Sequence, residues 1–456
     1  MGKTVIYQML LRLWGGRGQG RFSTVDAASL RYLKELGVTH VWYTGLLRHA
    51  VPEGPAGDFV KGDIGSPYAV CDYYDTNPYL ADSESERMSE LEDLINRTHA
   101  AGLKVVMDFV PNHVARNYRS DRPFDLGVGD DPSVHWKPEN DFYYYPGETL
   151  CLPGGSGRWQ ELPARASGNA FTSSPSRNDW FDTVRLNYCP FHTPTWDKMY
   201  DIVRFWASKG VDGFRCDMVE MVPKEFFQWL IAKVKRAFPD LRFIAEAYDR
   251  NNYGTLVRET GFDWLYDKSG LYDRLRAVTT GSAGTGELTR NWQELGPLQP
   301  AMLHFLENHD EQRVASRFFA GAPEKAYPAL TVSALFTDAP FMLYFGQEIG
   351  EPGGAEDGRT SIFDRIAVPS LARLYDEIHG VQDALLPAER CVLAHYRDVL
   401  QEAHAVFGLP NYDLCWCNKE RPGFDPDRHF AFLRGKRVYF CAFDGAPAGM
   451  PDLYIP

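Results

Sequence analysis

Four short stretches of this 456-residue chain run apolar and then stop abruptly in acids, histidine, asparagine or arginine. They are Lys104 to His113 (KVVMDFVPNH), Gly213 to Asp217 (GFRCD), Arg242 to Glu246 (RFIAE) and Met302 to Asp310 (MLHFLENHD). Carboxyls, imidazoles and a guanidinium gathered at such endings are the residue types of acid–base chemistry. A lone Asp at a strand end is usually a structural acid, satisfied by backbone N–H groups. Four such endings in one chain point instead to a shared active surface, and so to an enzyme. They carry Asp108 with Asn112 and His113, Arg215 with Asp217, Glu246, and His309 with Asp310.

Residues this far apart in sequence meet only if the elements between them bring them together. The β-branched and aromatic content of the four runs predicts buried strands. Similar runs at Val5 to Leu10, Thr39 to Tyr43, Asp263 to Tyr266 and Phe341 to Tyr344 bring the count to eight. Helical periodicity lies between them, clearest in Thr24 to Leu36 before Gly37, Glu86 to Ala101 before Gly102, and Trp196 to Lys209 before Gly210. Pro223 opens another helix, and a last one is expected from Leu386 to about Ala405. Alternation of this kind predicts a parallel sheet with crossover helices, closed by eight strands into a (β/α)8 barrel.

The third strand is followed by a Gly-, Pro- and aromatic-rich segment too long for an ordinary loop, which predicts an inserted unit. The expected organisation is therefore a barrel over 1–113 and 188–405, an insert over 114–187, and a β region over 406–456. Within the insert, Trp136, Phe142, Tyr143, Tyr144, Tyr145 and Trp159 are candidates for stacking on a sugar or for the insert's own small core. The tail, with HFAFLRGKRVYFCAFDGAP, alternates like an antiparallel hairpin.

A formal net charge of −13 argues against a nucleic-acid partner, since phosphate binding depends on clustered Lys and Arg. No apolar run reaches the length of a membrane span, so no membrane partner is expected. The chain enters a strand at once, without a basic n-region or apolar h-region. A cytoplasmic location is expected for the sequence as it stands, and an extracytoplasmic one if a leader preceded it. Eight Cys without tight repeated spacing predict free thiols, and Cys415 and Cys417 form a C-x-C pair with no partner pair.

The order of the four stretches resembles the four main motifs of the α-amylase family, glycoside hydrolase family 13, over about Val5 to Gly350. The resemblance implies a TIM barrel with a domain B inserted after its third strand. It also implies that the short C-terminal β region is a reduced or truncated form of a β-sandwich, for which roughly 50 residues are too few. The implied chemistry is retaining hydrolysis of α-1,4-glucosidic bonds in starch or maltodextrins. Asp217 is the implied nucleophile, Glu246 the general acid and base, and Asp310 the third carboxylate, which binds sugar hydroxyls. His113 and His309 are implied to stabilise the transition state, and Tyr68, in SPYAVCDYYDTNP, to stack on the sugar, with Tyr73 and Tyr74 as competing candidates.

Elementary geometry agrees with this. Asp217 and Glu246 end successive strands, and neighbouring strands lie about 4.8 Å apart, so their carboxyls can approach the roughly 5 to 5.5 Å of retaining enzymes. Arg215, two residues before Asp217 on one strand face, can hold that Asp ionised. Nearby anions are expected to raise Glu246. Asp108 is expected behind the site, helping to position Arg215.

Calcium is the cofactor the resemblance implies, through Asn112 and Asp182, and no organic cofactor is implied. The segment TVRLNY places Arg185 where the family pattern LPDLN has its Asp, and a cation there would repel Ca²⁺ and could bridge the domains instead. Glu220 and Met221 replace a Lys-His pair that contacts the sugars beyond the cleaved bond in many relatives. The implied partner is an α-glucan oligo- or polysaccharide, with the oligomeric state left open. The rival readings are a transglycosylase, phosphorylase or sugar isomerase of the same family, or a non-catalytic glycan-binding barrel, which the presence of all three acids disfavours.

Overall fold

The computed structural model describes residues 2–155, 157–354, 356–445 and 451–456. The omitted positions include one residue of the insert, one of the loop after the eighth strand and the end of the expected C-terminal hairpin motif; these lie outside the described residues. Eight parallel strands close into a barrel in sequence order. They are β1 (Val5–Leu10), β2 (His40–Thr44), β3 (Lys104–Phe109), β4 (Gly213–Cys216), β5 (Arg242–Ala245), β6 (Trp264–Tyr266), β7 (Met302–Phe305) and β8 (Phe341–Tyr344). All eight expected strands are present, β2 and β6 one residue later at their starts. Nearly every residue in them is buried, which is why they read as unbroken apolar runs and not as alternation.

Helices ring the barrel, each burying one face. The first four are α1 (Ala27–Leu36), α2 (Arg87–Ala100), α3 (Pro194–Ser208) and α4 (Lys224–Ala237), the last burying Phe226, Phe227, Leu230, Ile231 and Val234. Helix α1 starts three residues later than its periodicity suggested, because Asp26 caps it by accepting from the Ser29 N–H. It stops at Gly37, whose φ of 98° lies in the left-handed region. The last long helix runs Pro387–Ala405, as expected within one residue.

Between β3 and α3 the chain makes only short strands: His113–Ala115 pairs with Thr183–Arg185, and Tyr144–Tyr145 with Ala164–Arg165. A separate apolar cluster joins Ala115, Leu150, Leu152 and Ala164 of this insert to Ala50, Ala56, Phe59 and Ala69 of the loop after β2. Buried ion pairs from Arg116 and Arg165 to Glu161, at 2.8 and 3.0 Å, brace it internally. Asp141 fastens it to α3 by accepting from the Thr195 hydroxyl at 2.8 Å and pairing with Lys198. The tail forms a three-stranded antiparallel sheet, Asn411–Asp413, His429–Arg434 and Arg437–Ala442, one strand more than the hairpin expected. The eight Cys are free thiols, and Cys415 and Cys417 turn theirs to the Ala431 and Leu414 carbonyls. Among the described residues no helix is long and apolar enough to cross a membrane.

Candidate active site

The polar endings of β3, β4, β5 and β7 converge because their strands are in register. Arg215 pairs with Asp108 on one side and Ile244 on the other, and Cys216 pairs with Ala245. Asp217 and Glu246, one residue beyond each strand, continue the ladder: the Asp217 N–H donates to Phe109 O at 2.9 Å and the Glu246 N–H to Cys216 O at 3.1 Å. The two acids therefore stand side by side at the C-terminal rim of the barrel, both against the Arg215 guanidinium. That proximity fits retention; inverting enzymes need about 6.5 to 9.5 Å.

Arg215, fully buried, is the hub. Its Nη1 donates to Asp217 Oδ1 at 2.7 Å, and its Nη2 lies 2.7 Å from Glu246 Oε1 without hydrogen-bond alignment. The guanidinium is enclosed by the rings of Trp42, Tyr68 and Tyr266, 5.5, 5.2 and 5.6 Å from their centroids. Asp108 stands behind it as expected, 3.5 Å from Nη1, and accepts from Trp42 Nε1 at 3.0 Å.

Burial raises both Asp217 and Glu246, and Arg215 opposes the rise in each. Glu246 reaches about 7, with Asp217 and Asp310 adding to the effect of burial. Only those anions were foreseeable from the sequence; loss of water is the larger cause. The Arg215–Asp217 hydrogen bond favours the charged form of Asp217, so Glu246 is the better placed of the two to hold a proton near neutrality.

Met218, with φ of 45°, is one of few non-glycine residues in the left-handed region. That turn aims its N–H at Glu246 Oε2, 2.7 Å away, a case of backbone strain at a functional position. The other carboxyl oxygen accepts from the Tyr248 hydroxyl at 2.8 Å. Tyr248 was missed in the sequence, although its spacing of two from Glu246 placed it on the same side of an extended run. Glu220 does not line the pocket; it accepts from the N–H groups of Tyr248 and Asp249 at 3.0 and 2.9 Å and so fixes the turn that carries Tyr248.

His309 accepts from Gln8 Nε2 at Nδ1, 2.8 Å away, which leaves its proton on Nε2, 3.1 Å from Asp310 Oδ2. Burial first, then Arg215, lowers this imidazole to about 3, so it is a neutral donor. Gln8, on β1, carried no sequence signal. Asp310 keeps 43% of its side chain open to the pocket. His113 is lowered to about 4, by burial foremost. Its Nδ1 faces the Asn112 amide nitrogen at 3.2 Å, and its ring lies 5.1 Å from Trp180.

Tyr68 stacks on His309 at 5.0 Å and lines the pocket. Its two competitors face elsewhere: Tyr73 is buried and donates to Val110 O, and Tyr74 donates to Asp201. Together Tyr68, His113, Asp217, Glu246, His309 and Asp310 surround a cavity of about 250 Å³. None of the six aromatic residues singled out in the insert lines it. Phe142 and Tyr144 are buried, Tyr145 and Trp159 pack in the insert's core, and Trp136 and Tyr143 donate to Asn187. The insert's ring in the pocket is Trp180, which sequence reasoning did not select.

The pair expected to bind Ca²⁺ does not fit the ion. Asp182 Oδ1 is 2.9 Å from Lys61 Nζ, and Asn112 turns its amide nitrogen to Gly168 O at 2.8 Å. Arg185 donates to the same Gly168 carbonyl and to Met221 O, both at 3.2 Å. Two cations thus occupy the neighbourhood in which Ca²⁺ would need free oxygen donors.

The chain is similar to known proteins in sequence and in fold. The family model for the α-amylase catalytic domain matches residues 16–252. Alpha-amylase 3 of Dictyoglomus thermophilum is 25% identical over 371 residues, covering 77% of this chain and 65% of that protein. Alpha-amylase MalA of Haloarcula japonica is 27% identical over 362 residues, 78% of this chain and 45% of that one, so the chain spans less than two thirds of either relative. In overall fold, a maltogenic α-amylase of Thermotoga neapolitana superposes with a TM-score of 0.66 at 21% identity, over 96% of this chain and 86% of its own. Since the family model takes in the turn at Asp217 and the end of β5 at Glu246, and matches more than half of the sequence, this chain belongs to the α-amylase family, glycoside hydrolase family 13.

Proposed function

We propose that this protein is a retaining glycosidase that hydrolyses α-1,4-glucosidic bonds in maltodextrins or starch. The observation that carries the reading is the single buried Arg215 guanidinium touching both Asp217 and Glu246, which line the pocket, at 2.7 Å. In the first step an Asp217 oxygen bonds to the anomeric carbon while Glu246 gives its proton to the departing glycosidic oxygen. The product is a glycosyl ester on Asp217 and a free sugar. In the second step Glu246, now ionised, takes a proton from water, whose oxygen displaces Asp217 from the same carbon. Asp310 and the neutral imidazoles of His113 and His309 accept from and donate to the hydroxyls of the bound ring. Arg185, linking Gly168 of the insert to Met221 beside the site, takes the bridging part that Ca²⁺ would otherwise play.

Incubation with maltooligosaccharides, with and without phosphate or an acceptor sugar, tests the reading. Hydrolysis products independent of either addition are expected; products that require phosphate or acceptor would reassign the chain to a phosphorylase or transglycosylase. Asp217→Asn and Glu246→Gln should each lower kcat by roughly 10³-fold or more while circular dichroism stays unchanged. Near-native turnover in either variant would refute the roles of these two acids.

A further inference from the structure

One side of the pocket is a continuous wall built from three separate segments. Residues 59–66, after β2, press against residues 361–365, after β8. The Ile64 N–H donates to Phe363 O at 3.1 Å, the Asp63 N–H to Asp364 Oδ1 at 3.1 Å, and the Arg365 N–H to Asp63 Oδ1 at 2.8 Å. The approach is so close that a Cβ on Gly62, at φ of 69°, would stand 2.4 Å from Phe363 O. Buried Arg12 anchors the second segment from below by donating to Ile362 O. Lys61 then carries the wall across to the insert, pairing with Asp182 at 2.9 Å and lying 4.9 Å over the Phe181 ring.

This wall stands on the His113 side of the pocket. Trp180, two residues before Asp182, packs on His113, and the charges of Lys61 and Asp182 are felt at that imidazole. Glu246 is instead flanked by Met218 and Tyr248. A sugar with its anomeric carbon at Asp217 has its leaving oxygen toward Glu246, so its opposite end, which carries the next unit in a chain, meets Lys61, Asp182 and Phe363. The cavity of about 250 Å³ is also below the roughly 300 to 1,000 Å³ of pockets for larger ligands.

We infer that the pocket is blind and accepts only a terminal, non-reducing glucosyl unit, so that the protein removes glucose from chain ends of short α-glucosides and does not cut within a polymer. Lys61 and Asp182 form the latch that closes the far end. The inference rests on the glycosidase reading above and specifies which bond that site attacks.

Three substrates are compared with the native protein: maltoheptaose, p-nitrophenyl α-glucoside, and a maltoheptaoside whose non-reducing terminal sugar is chemically blocked. Stepwise release of glucose is expected from the first, cleavage from the second, and at least about 100-fold slower cleavage of the third. In Lys61→Ala the wall loses its latch, and cleavage of the blocked substrate relative to the free one should rise by about tenfold or more. Blocked and free maltoheptaose cut within a few-fold of each other by the native protein would overturn the inference while leaving the glycosidase reading intact. No cleavage of maltoheptaose or of p-nitrophenyl α-glucoside would overturn both.

Discussion

In the proposed mechanism two carboxyls of the same chemistry take different roles because of the atoms around them. Asp217 faces the Nη1 donor of Arg215, whereas Glu246 receives the Met218 N–H and the Tyr248 hydroxyl and is pushed up to about 7 by burial and two neighbouring acids. A general acid must be protonated to work, so kcat/KM should fall as pH rises through about 7. The Tyr248 hydroxyl donates to the ionised form of Glu246 and so holds its pKa down. In Tyr248→Phe that hold is lost, and the alkaline limb should move up by about one pH unit, the size expected from a hydrogen bond to a charged group. An unmoved limb would mean that Tyr248 does not act on the acid. The acids, the two histidines and Arg215 were legible because each ends an apolar run. Gln8, Lys61 and Trp180 were not, since their importance comes from partners distant in sequence, His309, Asp182 and His113, and Tyr248 was marked only by its spacing of two from Glu246.

Among the elements, the insert and the barrel are joined where Arg185, at the end of a short strand, reaches Gly168 and Met221. A guanidinium spanning two carbonyls takes no part in metal chelation, so EDTA should change neither activity nor Tm. Arg185→Ala takes the side-chain donor from Met221 O and leaves Gly168 O to the Asn112 amide, and should lower stability by about 1 to 3 kcal/mol, read as a fall in denaturation midpoint. A large loss of activity in EDTA, restored by Ca²⁺, would contradict this assignment. All eight strands were legible from their apolar runs, and Gly37 marked the end of α1. The insert's interior was not: its strands are two or three residues long, too short for periodicity to register, and its aromatics pack chiefly on each other and on residues outside it.

Over the whole molecule, the insert is not a free-standing unit. Its apolar cluster borrows Ala50, Ala56, Phe59 and Ala69 from the loop after β2, and Phe59 packs on Trp159 with ring centroids 4.8 Å apart. Barrel and insert should therefore unfold together, in one calorimetric transition whose van't Hoff and calorimetric enthalpies agree. Phe59→Ala, which opens a cavity at this fully buried junction, should destabilise by roughly 3 to 5 kcal/mol without splitting the transition. Two separated transitions in the native protein would show that the shared cluster does not couple the two parts. The sharing was invisible in the sequence because nothing in residues 50–69 marks which of their apolar side chains pack on the insert, while the length of 114–187 already signalled an insert.

The central claim is the covalent bond to Asp217. The most direct measurement is mass spectrometry of the protein after incubation with a fluorinated α-glucosyl fluoride, a substrate that forms the glycosyl ester faster than water removes it. A covalent glycosyl-enzyme predicts a mass increase of one fluoroglucosyl unit, mapped by peptide digestion to Asp217 and absent in Asp217→Asn. A label on another residue, or turnover of maltooligosaccharides with inversion at the anomeric carbon, would contradict it.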